Sequence, residues 1–212
     1  EGGKIGNINN TNGAIANCMQ FSNGANVDNL NNDGTVSGTI TNNSGNITVN
    51  NSGSIGGITT SNGGTTNISN GGFQNSGGNI GFITNNDNST TNINEWNVGN
   101  PDNPKSPIKV AGDNLGGINT GKIYLDNVQA GKIYDTGKIV VGEDINGDGV
   151  EDGVDKNGNS LADQLNNGQG IFDSLDTISG IVDFIDEGDG KFSTGLDTRE
   201  LSGKTLGASL IY

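Results

Sequence analysis

The sequence predicts an all-β protein: a right-handed parallel β-helix (a solenoid), followed near the C-terminus by an acidic, partly helical module. Three observations lead to this fold class. A phrase of glycine, any residue and isoleucine or valine recurs, as in Gly45-Asn46-Ile47 and Gly53-Ser54-Ile55. Asparagine fills the space between the copies, and only 29% of the 212 residues are apolar. Because each copy is too short and too polar to bury a core alone, we expect the copies to stack on one another.

The composition leaves disorder as the alternative to a solenoid with a narrow core. Of the 36 asparagines, 27 lie in residues 1–100, and an asparagine-rich coil is prone to aggregate. Disordered chains usually lack β-branched residues and are rich in charge or proline. This chain has regularly spaced isoleucine, 16% charged residues and three prolines. We therefore favour the solenoid, in which asparagine suits tight corners and stacked asparagine side chains form hydrogen-bonded ladders.

The charge distribution argues against polyanionic partners. Residues 1–142 carry 9 acidic and 6 basic side chains, whereas residues 143–212 carry 15 acidic and 4 basic ones. The net charge of -14 is thus concentrated near the C-terminus, and we expect no binding to nucleic acid or to an anionic membrane surface. No apolar run approaches the length of a membrane span, so we expect no membrane insertion by this segment.

Cysteine is nearly absent. Cys18 is the single copy, so no internal disulfide forms, and we expect it to be a small buried apolar residue. Scarce cysteine fits export across an oxidising periplasm. Because repeats are under way from the first residues, we expect the chain to be a mature segment or a piece cut from a longer protein.

Residues 1–96 are predicted to form the first β-helix rungs. Isoleucine and valine alternate there with polar residues, as in Ile47-Thr48-Val49, which is typical of short strands with one buried face. Two apolar series recur every 18 to 25 positions, and we expect each to stack in the core: Ile15, Val36, Ile55 and Phe73, and Ile47, Ile68 and Ile93. Such a period suits a coil of two or three strands, which lengthens the stack by about 4.8 Å.

Residues 97–117 interrupt the pattern. All three prolines, Pro101, Pro104 and Pro107, fall in this segment, and proline cannot donate to a β ladder. We predict a loop or a break between coils here, with Trp96 at its edge covering the interior.

Residues 118–142 are predicted to resume the rungs, because they hold three copies of Gly-Lys-Ile. Their lysines, Lys122, Lys132 and Lys138, occupy the same slot, and we expect them to form an outward basic row. Tyr124 and Tyr134 are expected to stack one coil apart.

Residues 143–190 are predicted to form the acidic module, and a twelve-residue loop is its sharpest motif. Oxygen-bearing side chains stand at loop positions 1, 3, 5, 9 and 12, which are Asp144, Asn146, Asp148, Asp152 and Asp155. Position 6 is Gly149, and position 7 is Val150, which offers its backbone carbonyl. Calcium takes six to eight hard oxygen ligands, so this spacing predicts a calcium site, with a solvated acidic turn as the alternative. A second, poorer loop shares Asp155 and continues with Asn157, Asn159, the Leu161 carbonyl and Asp163.

One short helix is predicted to follow the loops. The apolar residues Phe172, Leu175, Ile178, Val182 and Ile185 are spaced three, three, four and three residues apart, which suits one helix face. Residues 191–212 are predicted to form terminal strands or a cap.

The repeats resemble the passenger regions of bacterial type V autotransporters, closest to the adhesin and vacuolating-cytotoxin-like group. The resemblance covers residues 1–142 and rests on the glycine-x-isoleucine rungs, the asparagine and threonine filling, scarce cysteine and acidic character. It implies a β-helical stalk that is extracellular or on the bacterial cell surface, exported through a C-terminal β-barrel. The acidic loop resembles the calcium loops of dockerins and thrombospondin type 3 repeats, and it ends in aspartate instead of the glutamate of an EF-hand.

These features predict a non-enzymatic surface adhesin fragment that mediates host-cell or cell-cell attachment, with a host-cell surface, matrix or glycan ligand and with self-association through β-helix faces. The chain has no histidine, which excludes histidine-based triads. The alternative is a carbohydrate-active β-helix enzyme, either a polysaccharide lyase or a tailspike-like hydrolase. Acidic residues are dispersed through residues 1–142, which favours the adhesin. For an ice-binding solenoid, the third class, the threonines are too irregularly placed.

Overall fold

Two parallel β-sheets wound from one chain form most of the protein. The computed structural model describes residues 2–178 and 182–196. The strands are, in chain order, β1 (Lys4–Asn10), β2 (Ile15–Ala16), β3 (Met19–Phe21), β4 (Asn26–Asn32), β5 (Thr35–Asn43), β6 (Asn46–Asn51), β7 (Ser54–Ser61), β8 (Thr65–Asn70), β9 (Asn79–Asn85), β10 (Thr90–Gly99), β11 (Ile108–Ala111), β12 (Ile118–Leu125), β13 (Ile133–Asp135), β14 (Val140–Val141), β15 (Leu175–Thr177), β16 (Val182–Gly188) and β17 (Lys191–Leu196). The helices are α1 (Thr136–Ile139) and α2 (Leu161–Gly168), with 3-10 turns at Leu115–Gly117 and Phe172–Ser174.

The chain alternates between the two sheets. Each time it returns to a sheet, it adds the next strand beside the previous one. The first sheet has the order β1-β4-β6-β8-β10-β12-β15, and the second has the order β14-β11-β9-β7-β5-β2, with β3 also paired to β5. All of these pairs are parallel. The result is a parallel β-solenoid of about six turns, which confirms the predicted architecture of stacked rungs.

Apolar side chains from both sheets meet in a core that is one side chain wide. In the second sheet, Val36, Ile55 and Ile80 occupy one register position in successive coils, and all three are buried. In the first sheet, Ile68 pairs with Ile93, as the second predicted series requires. In strands such as β6 and β8, buried residues alternate with outward polar ones, so the period of two in the sequence reflects this division.

Three members of the predicted apolar series stack differently. Ile15 pairs with Thr35 and is 74% exposed, whereas Phe73 lies in a loop outside the sheets. Ile47 is buried, but its neighbour in the next coil is Thr66 and not the predicted Ile68, which pairs with Val49. The series is therefore displaced by one inward-facing position at this coil. The cause is the varying turn length between strands, which makes the coil length vary from one coil to the next.

The recurrent glycine has a steric explanation at the corners of the coils. At Gly53 a Cβ atom would overlap the carbonyl oxygen of Gly34, and at Gly78 it would overlap that of Gly53. Gly81 has the same relation to Gly56. Successive coils therefore approach so closely at these positions that no side chain fits between their backbones.

Asparagine ladders run along the stack, as the composition predicted. Inside, side chains on one register column donate to the next coil: Asn10 Nδ2 to Asn32 Oδ1 (2.7 Å), Asn32 to Asn51 (2.7 Å) and Asn51 to Asn70 (2.9 Å). Outside, the direction is reversed, because each later coil donates to the earlier one. In one outer ladder Asn31 donates to Asn9 and Asn50 to Asn31, both at 2.9 Å. In the other, Asn67 donates to Asn46, Asn92 to Asn67 and Asn119 to Asn92, at 2.9 to 3.2 Å. Asparagine also provides five of the eight non-glycine residues with positive φ among the described residues.

The proline-containing segment is a turn within one coil. Strand β10 continues to Gly99 and β11 begins at Ile108, so only residues 100–107 leave the sheets. Strand β11 is a rung of the second sheet, which means that the expected break is shorter than residues 97–117. Trp96 lies fully buried, and its Nε1 donates to the Ser106 carbonyl at 2.8 Å. This tryptophan therefore covers the interior, as predicted.

Residues 118–142 contain two rungs and an excursion. Strands β12 and β14 belong to the two solenoid sheets, whereas β13 pairs with β17 in a separate three-stranded antiparallel sheet. The prediction of a lysine row is wrong: Lys122 lies in β12, Lys132 in the loop before β13, and Lys138 in α1. The copies are 10 and 6 residues apart, which is too few for one coil.

The prediction that Tyr124 and Tyr134 stack is also wrong, because their spacing of 10 residues is too short for one coil. The Tyr124 ring contacts Phe73 edge-on at 6.0 Å between centroids. Tyr134 stacks instead on Phe192 of β17 at 5.4 Å.

The helix predicted over 172–185 is replaced by other elements. Its described residues form a 3-10 turn and then strands β15 and β16. Leu175 pairs with Ile123 as the last rung of the first sheet, and this pairing outweighs the helical spacing. The short helix of this region is α2, where Ser160 Oγ accepts from the Asp163 amide at 3.2 Å.

The predicted terminal strands are present in part, and the cysteine prediction is wrong. Strand β17 pairs antiparallel with β13 and β16, while residues 197–212 of the predicted cap lie outside the described residues. Cys18 is exposed, because it lies in the break between β2 and β3.

Candidate functional site

The turns from the first sheet to the second differ sharply in length along the stack. In two early coils they are two residues long, at 33–34 and 52–53. The next two connections leave the sheets over residues 71–78 and 100–107, and the one after β12 starts with a loop at residues 126–132 and continues through β13 and α1 to β14. Together we call these three segments the loop face. Insertions on one side of a solenoid commonly form its binding surface, since the stacked rungs are a rigid scaffold for them.

Polar contacts hold the loops of the loop face together. Asn97, at the end of β10, donates through Nδ2 to the Gly72 carbonyl at 3.0 Å. Lys132 forms an ion pair with Asp102 and thus joins the third loop to the second. This contact raises the pKa of the Lys132 amine, chiefly through the hydrogen bond. Ser106 Oγ donates to the Gly78 carbonyl at 3.3 Å and thus joins the second loop to the first, so the three loops form one connected surface.

A groove of about 880 Å³ lies in the loop face. All three loops contribute to its wall, together with the strand ends beside them. Its lining residues are Phe73, Gln74, Ser76, Gly77, Gly78, Asn79, Asn97, Val98, Gly99, Lys105, Ser106, Asp126 and Ile178. The wall therefore combines a few apolar groups with amides, hydroxyls, one ammonium group and one carboxylate, a composition typical of ligand sites.

Phe73 is the aromatic member of this groove. It is 45% exposed, and it is held by the edge contact to the Tyr124 ring. Two residues of opposite charge border Gly99: a Cβ at Gly99 would be 3.8 Å from the Cβ of Lys105 and 3.9 Å from Oδ2 of Asp126. Within the described part of the chain, neither Lys105 nor Asp126 takes part in an ion pair.

A second groove, of about 580 Å³, lies on the other side of the 71–78 loop. The outer asparagine ladder forms its floor, with Asn9, Asn31 and Asn50 in successive coils. Ser69 and Glu95 continue the same register column toward the C-terminus. This groove has no aromatic residue in its lining.

Apart from Leu161 and Asp163, which lie in α2, the predicted calcium-loop residues lie in a largely exposed segment between β14 and α2. Asp144 accepts from the Gly147 amide at 2.7 Å and from the Gly149 amide at 2.8 Å. Asp152 accepts from the Ile145 amide at 2.8 Å and from the Asn146 side chain at 3.3 Å. Other predicted ligands form similar local turns, with Asn146 Oδ1 accepting from the Asp148 amide and Asp148 Oδ1 from the Val150 amide, both at 2.9 Å.

Asp155 is the centre of the second predicted loop. Its carboxylate accepts from the amides of Asn157 (2.8 Å) and Asn159 (3.0 Å) and from the side chain of Asn159 (3.1 Å). Hydrogen bonding, above all from the Asn159 amide, lowers the pKa of Asp155. Asp163 is not joined to this cluster by a hydrogen bond; its amide is the one that Ser160 caps.

The donor set of these loops suits calcium in kind but does not converge on one point. Aspartate and asparagine oxygens are the ligands that calcium prefers. In this structure many of them accept from backbone amides of their own loop. Across residues 2–178 and 182–196, no three or more acidic, histidine or cysteine side chains are arranged to hold a metal ion.

Comparisons with protein-family models, with curated proteins and with solved structures found no match to this chain. None of the described helices is long and apolar enough to cross a membrane.

Sequence reasoning missed the loop face. Phe73 was assigned to the core by its spacing, although its setting, Gly71-Gly72-Phe73-Gln74, follows a strand and carries a loop signal. Lys105 and Asp126 lie in two different turns, and only the stacking of coils brings them near each other. The one sequence signal for the site is the number of residues between consecutive strands at this corner, which increases from two at 33–34 and 52–53 to eight at residues 71–78.

Proposed function

We propose that the chain is part of a non-enzymatic bacterial surface adhesin, with the solenoid as its stalk and the loop face as its ligand-binding surface. The observation that carries the proposal is the gathering of three long loops at one corner around a groove with an exposed phenylalanine. The resemblance to autotransporter passengers supports a location outside the cell or on its surface. The partner is then a molecule of a host-cell surface or of the matrix, or a glycan.

Residue chemistry favours binding over catalysis in this groove. Glycosidases commonly use a pair of carboxyl groups that flank the bond to be cleaved. The lining of the loop-face groove has one carboxylate, that of Asp126. We also propose that the solenoid is right-handed, because connections between parallel strands of one sheet almost always have this hand.

Attachment to cultured epithelial cells tests the proposal. In a trimmed variant, residues 71–78 are replaced by Ser-Gly, the turn found at residues 52–53. We expect the parent chain to bind cells and the trimmed variant to bind at least tenfold less, with an unchanged β-type circular dichroism spectrum.

The matched control is Thr59→Lys, a change on the outer face of the second sheet, where a partly exposed threonine column runs through Thr41, Thr59 and Thr84. It should leave attachment unchanged. Loss of attachment in this control with retention in the trimmed variant would move the binding surface to the sheet. Release of reducing sugar ends from polysaccharides would instead favour the enzyme.

We further propose that the acidic segment binds calcium in a structural role. The support is the spacing of oxygen-bearing residues from Asp144 to Asp155 and the exposure of the segment. Binding would replace local hydrogen bonds by ion contacts and stabilise the folded state by mass action. Calcium should therefore raise the melting temperature of the parent, and Asp144→Asn should reduce this shift while Asp113→Asn leaves it intact. An equal shift in all three proteins would contradict the assignment.

A further inference from the structure

Phe73 and its neighbours have features that packing does not require. The ring is held at the groove by the Tyr124 edge contact, yet nearly half of its surface is open. In two earlier coils the turn at the same corner needs only two residues, at 33–34 and 52–53, so the eight residues of 71–78 are more than closing a coil requires. The loop therefore adds an aromatic ring that remains 45% exposed at the groove.

Polar groups suited to paired hydroxyls lie across the same groove. Lys105 and Asp126 flank Gly99, which has a φ of +82° and no side chain of its own. The Asp126 carboxylate accepts from the Asn127 side chain through Oδ1 at 3.2 Å, and no hydrogen bond to its Oδ2 is present among the described residues. The groove lining thus includes a residue with an ammonium donor and one with a carboxylate acceptor, and it also includes Gln74 and Asn79, whose side chains carry amide groups.

We infer that the loop-face groove is a saccharide-binding site that takes a neutral pyranose unit on the Phe73 ring; this inference rests on the proposed adhesin function and names its ligand class. The C–H groups of one sugar face pack on the electron-rich ring face. Hydroxyl groups at the sugar edge donate to Asp126 and accept from Lys105.

The groove composition separates this ligand from other classes. A peptide that adds a strand needs an open sheet edge, and the groove lies at a corner where strands end. Acidic sugars are disfavoured by Asp126 and by the net charge of -14, even though Lys105 is present. An apolar ligand would cover the charged groups of Lys105 and Asp126, which form no ion pair among the described residues, and covering such charges is costly.

The test is isothermal titration of the full chain with soluble tetrasaccharides. The neutral probes are cellotetraose, mannotetraose and tetra-N-acetylchitotetraose, and the acidic probe is tetragalacturonate. We expect at least one neutral probe to bind. For that probe, Phe73→Ala should weaken the affinity about tenfold, whereas Phe73→Tyr should preserve it. Asp126→Asn and Lys105→Met should each weaken it as well.

Ile15→Ala is the matched control, because Ile15 is also an exposed apolar residue but lies in the first coil. It should bind as the parent does, and melting curves should show that all variants are folded. The inference is overturned if no neutral probe binds, if only tetragalacturonate binds, or if Phe73→Ala binds as tightly as the parent. If cells still bind Phe73→Ala but no longer bind the trimmed variant, the proposed adhesin function is supported and the saccharide inference is contradicted.

Discussion

The rungs of residues 26–99 and the acidic segment of residues 143–160 use polar side chains in opposite ways. In the rungs, Asn32 accepts from Asn10, 22 residues away, and donates to Asn51, 19 residues away. In the acidic segment, Asp144 accepts from amides three and five residues away. Asn32 is fully buried, whereas the apolar residues of the acidic segment are exposed.

The difference shows two ways to order a chain with few apolar residues. Long-range ladders couple each coil to the next, so the loss of one contact is felt by the stack. Local side-chain turns satisfy backbone amides but add no burial, so they hold only their own loop. We therefore expect substitutions in the rungs to affect global stability and substitutions in the acidic segment to act locally.

The largest effect is expected at a core isoleucine. Ile58→Ala leaves a cavity between the sheets and should lower the free energy of unfolding by about 4 kcal/mol. Val150→Ala, in the acidic segment, should change it by less than about 0.5 kcal/mol, because Val150 is exposed. Guanidinium unfolding followed by circular dichroism measures both. Equal losses would mean that the acidic segment shares the core.

Two glycine-to-alanine substitutions distinguish the cost of a steric overlap between coils from the cost of backbone strain at a positive φ. Gly81→Ala places a Cβ against the Gly56 carbonyl and should destabilise the fold by about 3 kcal/mol. At Gly149 the φ of +88° disfavours alanine, but the space around it is open, so Gly149→Ala should cost about 1 kcal/mol. The same unfolding curves report both values, and the reverse order would refute the close stacking of coils.

Two adjacent asparagines compare the inner and outer ladders directly. Asn32→Ala leaves buried partners without hydrogen bonds and should cost about 2 kcal/mol. Asn31→Ala removes equivalent bonds at the surface, where water replaces them, and should cost about 0.5 kcal/mol. If both variants unfold at the same denaturant concentration, burial of the inner ladder is not what stabilises it.

The smallest effect is an acid-induced loosening confined to the acidic segment. Asp155 has a folded-state pKa below its ordinary value of 3.8, mainly because the Asn159 amide donates to it. Its contribution is present above pH 3.8 and is lost as the pH falls through the lower folded-state pKa. Amide exchange at Gly158 should then accelerate in this range while exchange at Ile58 does not, since the ladder amides do not titrate. In Asp155→Asn the change should disappear.

The scaffold was predictable because its physical causes are local and repeated. Alternation around Ile47 and Val49 identifies inward positions, and the glycines identify corners where coils approach. Register was less predictable, because it depends on turn length: Ile15 and Phe73 fit a period of about 20 and yet lie outside the core.

The site could not be read from the sequence for a related reason. Phe73, Lys105 and Asp126 are separated by 32 and 21 residues, and their proximity depends on three corners stacking on one another. The Phe172–Ile185 spacing indicated a helix, but pairing of Leu175 with Ile123 determines the local structure. In each case a contact between coils decides the outcome, and such contacts leave no mark within a short window of sequence.

The opposite directions of the two ladder types have a consequence for length. Each side-chain amide is a dipole, and a row of aligned dipoles sums along its axis, as in an α-helix. The inner row donates forward and the outer rows donate backward, so their axial moments oppose each other. Each added coil therefore brings a smaller net field than it would if all the rows donated in the same direction. A gene that duplicates one coil could lengthen such a rod in steps, with a smaller change in the electrostatics of its ends than rows of one direction would cause.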